Sequence, residues 1–89
     1  MRPRVTWMTG ADNRTLEFLH EKDIVATPHV ISANIDYSQQ YINERVRVLE
    51  QNGLVQQTEG ALYQITDRGR AYLTGDLDAD DLPPKHEEE

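Results

Sequence analysis

The first third of the chain spaces its apolar residues as helices do. In residues 12–22, Leu16 and Leu19 lie three positions apart and share one face of a helix, with Phe18 beside them. Asp12 is a residue type that caps helix N-termini, because its side chain accepts a hydrogen bond from a free backbone N–H. We therefore expect a first helix over residues 12–22, capped by Asp12.

A second helix is predicted over residues 28–34, after a short extended segment at Ile24–Val25. Thr27 followed by Pro28 is a strong start signal, because Thr caps the helix and Pro is pre-shaped for the first helical position. The residues that we expect this helix to bury are Val30, Ile31 and Ile35.

The third helix, predicted over residues 38–52, has the clearest pattern. Its apolar residues follow the i, i+4, i+7 spacing of one buried stripe: Ile42, Val46 and Leu49. Asn52–Gly53 ends it, with glycine suited to the left-handed cap. Ser38 is the predicted N-cap, and a capping box of Asp36 with Gln39 is the alternative start.

A β-hairpin is predicted next. The runs 54–57 and 61–65 flank the three residues Thr58–Gly60, and a short connection containing glycine is typical of a hairpin. A fourth helix then begins at the cap Thr66 and ends near Thr74–Gly75.

Gly69 is unusual, because it would lie at the third position of the fourth helix. Glycine costs about 1 kcal/mol relative to alanine inside a helix, so its presence needs a reason. We expect close packing there against the hairpin or the third helix; a tolerated surface glycine is the alternative.

The order helix, strand, helix, helix, hairpin, helix predicts a mainly helical α+β fold, the winged helix-turn-helix, in a chain of 89 residues. We assign an N-terminal arm to residues 1–10 and the domain to residues 11–75. The remainder, 76–89, is rich in acids and prolines and is predicted to be disordered.

Charge and composition narrow the functional classes. The chain has no cysteine, no apolar run of about 20 residues and no apolar signal core, so we expect a cytoplasmic protein without disulfides. The net charge is −7, but residues 76–89 hold seven acids and one lysine, which leaves −1 for the rest.

The outer face of the third helix carries the candidate chemistry. The residues of this helix that lie outside the buried stripe are mostly polar. Their side chains can hydrogen-bond to base edges, since Gln and Asn pair with adenine and Arg with guanine. Residues near the helix N-terminus would read bases, and Arg45 and Arg47, further along, would contact phosphates. The predicted DNA-binding residues are Ser38, Gln39, Gln40, Tyr41, Asn43, Arg45, Arg47 and Arg68.

The chain resembles winged-helix domains related to the haloarchaeal phage phiH repressor and, more distantly, winged-helix regulators of the MarR and PadR kind. The matching stretches are "LEQNGLV" (49–55), "Y-x-I-T-x-x-G-x-x-Y-L" (63–73) and "WMTGADNRTLEFL" (7–19), within residues 7–77. The resemblance implies a transcription regulator, expected to be a repressor, whose third helix enters the major groove of double-stranded DNA. A haloarchaeal origin would also account for the acidic surface and the scarcity of lysine.

Other functions have less support in the sequence. A winged helix used for protein contact alone is the main alternative, because the body is nearly neutral and the hairpin tip is acidic. We expect a homodimer, with Trp7 and the region of Tyr72 and Leu73 as candidate contact surfaces. Trp7 could instead be a core residue. No catalytic, metal-binding or cofactor motif is present, and a calcium-loop pattern starting at Asp76 lacks the required glycine.

Overall fold

The computed structural model describes residues 2–77 and Asp81. Its elements, in chain order, are α1 (Gly10–Lys22), α2 (Pro28–Ile35), α3 (Gln39–Gln51), β1 (Val55–Gln57), β2 (Tyr63–Ile65) and α4 (Asp67–Thr74). This order confirms the predicted winged helix-turn-helix, with β1 and β2 as the wing. The short extended segment predicted at Ile24–Val25 does not form a strand, because only the next residue, Ala26, pairs with the wing, at Tyr63. The predictions of a disordered tail and a calcium loop fall mainly on residues outside the described part of the chain.

The helices begin where side chains can accept a backbone N–H. The predicted caps Thr27, Ser38 and Thr66 are confirmed, each accepting from the N–H three residues on at 3.1–3.2 Å. The prediction for Asp12 is wrong, because Thr9 caps α1 and Asp12 completes a capping box with it.

The alternative start of α3 is also wrong. Asp36 lies at the end of α2, where its φ of 65° forms a left-handed C-cap, and its N–H donates to the carbonyl of Ser32. Ser38 therefore starts α3 alone.

The first three helices pack around one core, and the wing and α4 also contribute side chains to it. Its buried apolar residues are Val5, Trp7, Ala11, Leu16, Leu19, Ala26, Ile31, Ile35, Ile42, Val46, Leu49, Leu54, Val55, Tyr63, Ile65 and Tyr72. The predicted stripe of α3 is confirmed. Val30 was predicted to be buried but is 40% exposed, and Ser32 occupies the buried side of α2 instead.

The wing is an antiparallel hairpin in which Val55 pairs with Ile65 and Gln57 with Tyr63. The predicted hairpin is confirmed, although its connection is five residues rather than three. Tyr63 also pairs with Ala26 through two backbone hydrogen bonds of 2.8 and 2.9 Å. The segment before α2 is thereby joined to the inner strand of the wing.

Gly69 lies at the third position of α4 and is buried. A Cβ added there would overlap the carbonyl oxygen of Leu54 and come within 2.7 Å of Ile65 Cγ1. The prediction of close packing against the wing is confirmed, and the glycine is required by the approach of α4 to these two residues.

Candidate nucleic-acid interface

α3 has one face in the core and one in solvent. Several of its residues outside the buried stripe are exposed, among them Gln39, Gln40, Glu44 and Arg47. Asn43 is half-buried. Because Ile42, Val46 and Leu49 hold the opposite face, the exposed side chains are carried on a fixed helix.

The N-terminal tip of α3 is built from polar contacts. The Ser38 hydroxyl is engaged as the cap, accepting from the Tyr41 N–H at 3.1 Å. Tyr41 is half-buried, and its ring lies 5.9 Å from that of Tyr37. The Gln39 Oε1 lies 3.1 Å from His29 Nδ1 on α2. His29 is not among the residues predicted from the sequence, because its contact with Gln39 depends on how α2 packs against α3.

Arg45 joins α3 to α1. Its Nη2 lies 2.6 Å from Asp12 Oδ2 and its Nε 2.8 Å from Asp12 Oδ1, so the pair is bidentate. The Asp12 side chain is fully buried and that of Arg45 is 14% exposed. The hydrogen bond to Asp12 raises the pKa of Arg45 above its ordinary value, despite the opposing effect of burial.

The predicted phosphate contact of Arg45 stays a prediction, and this pairing weighs against it. The spacing of Arg45 along the helix already indicates that its side chain lies beside the core. Arg45 follows Ile42 by three residues and precedes Leu49 by four, which places it beside the buried stripe.

Arg68 lies at the other end of α3. Its Nε donates to the carbonyl oxygen of Asn52 at 3.0 Å, and its Nη2 donates to the carbonyl oxygen of Asp81. α3 has 13 residues and is therefore about 20 Å long. Arg68 and Gln39, at opposite ends of α3, lie roughly that far apart. Arg70, its neighbour, pairs with Asp67 at 3.2 Å and Asp23 at 3.8 Å.

The electrostatics of this surface are close to neutral. α3 carries two glutamates and two arginines, and one of the arginines is paired with Asp12. The exposed wing residues 56–61 include Glu59 and no basic residue. A strongly positive face, which non-specific phosphate binding favours, is therefore not present on α3 or the wing.

Two side chains expected at a dimer contact are buried within the chain itself. Trp7 is 7% and Tyr72 2% exposed, so the core interpretation of Trp7 is confirmed. The Tyr72 hydroxyl donates to Asn13 Oδ1 at 2.7 Å, and the guanidinium of Arg2 lies over its ring. Neither side chain offers a surface to a second copy in this arrangement.

Within residues 2–77 and Asp81, no three His, Asp or Glu side chains come close enough to hold a metal ion. None of the helices described there is both long and apolar enough to cross a bilayer.

Comparisons with known proteins agree with the fold. A model of the winged helix-turn-helix phage repressor family matches residues 1–85. The repressor protein of Halobacterium phage phiH is 35% identical over 86 residues, which cover 92% of this chain and 97% of that protein.

A solved structure is also similar. The crystal structure of the PhiH1 repressor-like protein from Haloarcula marismortui superimposes with a TM-score of 0.81 at 34% identity, over 89% of this chain and 91% of that one. The phage protein is named as a repressor and the Haloarcula protein as repressor-like, and repressors are regulatory proteins rather than enzymes. The chain belongs to the winged helix-turn-helix phage repressor family.

Proposed function

We propose that this protein is a sequence-specific regulator, a repressor, that binds double-stranded DNA by inserting α3 into the major groove. The observation that carries the proposal is the row of amide side chains at the N-terminal end of α3. Gln39, Gln40 and Asn43 lie where such helices meet base edges, and amides both donate and accept as those edges require. Repressor relatives of the same fold support the assignment.

The other residues predicted to bind DNA have roles that depend on their positions along and beyond α3. We assign backbone contacts to Ser38 and Tyr41 at the tip and to Arg47 on the exposed face. Arg68 would reach phosphate only on the far side of the groove, beyond the end of α3. Arg45 is left out of this interface, because Asp12 already takes up its guanidinium.

The near-neutral surface suits binding in concentrated salt. Counterion release dominates affinity for basic proteins and weakens steeply as salt rises. A protein with few phosphate contacts loses less, and it depends more on direct base contacts and buried area. The halophilic phage and archaeal sources of the relatives are consistent with this mode.

The direct test is binding to a randomised duplex library in about 2 M KCl, followed by sequencing of the retained DNA; weakly salt-dependent binding is expected for few phosphate contacts. A recurrent motif is expected. If the folded protein retains no sequence above the background of the library, the assignment of α3 to base reading is wrong.

Variants of α3 then separate base reading from phosphate contact. Gln40→Ala and Asn43→Ala should each relax the preference at particular base pairs, by about 1–3 kcal/mol per lost contact. Arg47→Ala should weaken binding to all sequences similarly and lower the slope of log K against log salt by about 1. Glu50→Ala, an exposed change at the far end of the same helix, serves as the control.

We also propose that the protein acts as a homodimer on a pseudo-palindromic site. One α3 reads only a few base pairs, and a two-fold pair of helices would double the sequence read. Light scattering of the free protein and a selected motif with two half-sites would support this. A monomer bound to a single half-site would contradict it.

A second candidate function, contact with a protein alone, is favoured by one observation. The charge of α3 and the wing is not positive, and Ile24, Val25 and Val30 expose apolar side chains near the start of α2. Recovery of a stable protein partner, combined with the absence of a selected DNA motif, would support this candidate over the first.

A further inference from the structure

His29 and Gln39 form a contact between the two helices of the helix-turn-helix. His29 lies at the second position of α2 and Gln39 at the first position of α3, and their side chains meet at 3.1 Å. Both residues are exposed. The contact therefore lies on the outer surface, at the end of α3 that is proposed to meet the bases.

The atoms in this contact fix its direction. An amide oxygen can only accept, so this hydrogen bond forms in the imidazole tautomer that carries its hydrogen on Nδ1, which then donates to Gln39 Oε1. The Gln39 NH2 group then points away from His29. Among the described residues, none accepts a hydrogen bond from that NH2 group.

The backbone that carries His29 is held in place. Its carbonyl oxygen accepts from the Ser32 hydroxyl at 2.9 Å. The turn that contains it is capped by Thr27, whose hydroxyl accepts from the Val30 N–H at 3.2 Å. The imidazole thus projects from a fixed turn, and it can orient a side chain on the neighbouring helix.

We propose that His29 is a positioning residue that determines which base Gln39 prefers. This inference rests on the proposed function. Adenine is favoured by glutamine when the amide donates to N7 and accepts from the N6 amino group at the same time. The Nδ1–H of His29 occupies one of the two lone pairs of Gln39 Oε1 and fixes the plane of the amide, while the second lone pair can still accept from adenine N6. Held in this orientation, Gln39 favours adenine over guanine, because guanine presents acceptors at both N7 and O6.

Removal of the imidazole should change this preference. His29→Ala lets the Gln39 amide rotate, so its NH2 group can also donate to N7 and O6 of guanine, and the preference for adenine over guanine falls at one base pair of each half-site. A change of about fivefold or more in the adenine-to-guanine ratio is expected, the lower end of what a bidentate pair contributes. His20→Ala is the matched control, because His20 is an exposed histidine on α1.

A double-mutant cycle distinguishes positioning from direct contact. The wild-type chain, His29→Ala, Gln39→Ala and the double variant are each used to select from the randomised duplex library. Thermal unfolding checks that all four fold. If the inference holds, His29→Ala changes the ratio only while Gln39 is present, and His20→Ala leaves it unchanged.

Three results would overturn the inference, and they differ in what else they affect. An unchanged ratio in His29→Ala refutes the positioning role and leaves the proposed function intact. The same change in the Gln39→Ala background shows that His29 reads DNA itself. A wild-type chain that selects no motif removes the proposed function and this inference with it.

Discussion

Gly69 is a residue at which α4 packs directly against Leu54 and the wing residue Ile65. The space that a methyl group would need is already occupied by the Leu54 carbonyl oxygen and the Ile65 side chain. The backbone oxygen cannot rotate away as a side chain can, because Leu54 leads directly into β1. The absence of a side chain at Gly69 is therefore a condition for the packing of wing and body.

Gly69→Ala should lower the free energy of unfolding by about 1–3 kcal/mol, although alanine is the better helix former, because overpacking shifts the backbone. Chemical denaturation measures this directly. Gly10→Ala is the matched control. It is also in the first turn of a helix, but its Cβ would meet only the Tyr37 hydroxyl, at 3.3 Å, which can move. Equal stability of the two variants would contradict the argument.

At the scale of elements, one carboxylate connects the start of α1 with the middle of α3. Asp12 accepts from the Thr9 N–H at 3.0 Å, which stabilises the first turn of α1, and it receives both guanidinium bonds of Arg45. Arg45 Nη2 also donates to the Trp7 carbonyl oxygen at 3.4 Å. The N-terminal arm, α1 and α3 therefore meet at one buried ion pair, which helps to fix the orientation of α3.

Asp12→Asn should cost about 3 kcal/mol of stability, because it leaves the Arg45 charge largely buried without its partner. The cost should persist in about 2 M KCl, since salt screens buried pairs much less than exposed ones. Denaturant unfolding at two salt concentrations is the measurement.

The more accessible pair Arg2–Glu17, at 2.7 Å with both side chains 33% exposed, provides the comparison. Glu17→Gln should cost at most about 1 kcal/mol in dilute salt. In concentrated salt it should cost almost nothing, since exposed charges are screened. If Asp12→Asn lost its effect in salt to the same extent, the ion pair would not be protected as its burial implies.

The elements themselves could be predicted because their signals are local. Ser38, Thr27 and Thr66 each act within three residues of sequence, and the α3 stripe follows from helical periodicity alone. The role of Asp12 could not be predicted, because its main partner is 33 residues away. The N-cap position and the third helical position of a capping box also favour similar residue types. The sequence was therefore compatible with Asp12 as the N-cap of α1, whereas Thr9 is the N-cap in the structure.

The site was predicted less completely than the fold. Exposure of Gln39 and Gln40 follows from the helical period, but the contact of His29 with Gln39 depends on how α2 packs against α3. Val30 shows the same limit: its apolar side chain suggested burial, and only the packing angle of α2 decides that Ser32 faces inward.

At the scale of the whole molecule, charge is distributed unevenly. Residues 78–89 contain six acids and one lysine, so removal of this segment changes the formal charge from −7 to −2. One member, Asp81, accepts a hydrogen bond from Arg68 through its carbonyl oxygen. The acidic segment thus has a point of contact near the end of α3.

A chain that ends at Leu77 should bind random duplex DNA more tightly than the full chain in about 0.1 M salt, because fewer acids repel the phosphates. The difference should vanish at molar salt, where the screening length falls to about 3 Å. Fluorescence polarisation across a salt series tests both statements. A full-length variant with the six acids replaced by their amides separates charge from length; if it behaves as the wild type, repulsion by these acids is not the cause.

The division of α3 into an anchored face and a polar face has a consequence for how such proteins diverge. Ile42, Arg45, Val46 and Leu49 hold the helix, whereas Gln40 and Arg47 are exposed and make no contribution to the core. Under the proposed function, substitutions at the exposed positions would therefore change the DNA site that the protein prefers without a loss of stability that would need a second mutation elsewhere. New specificities would then be reached by single substitutions that preserve the fold.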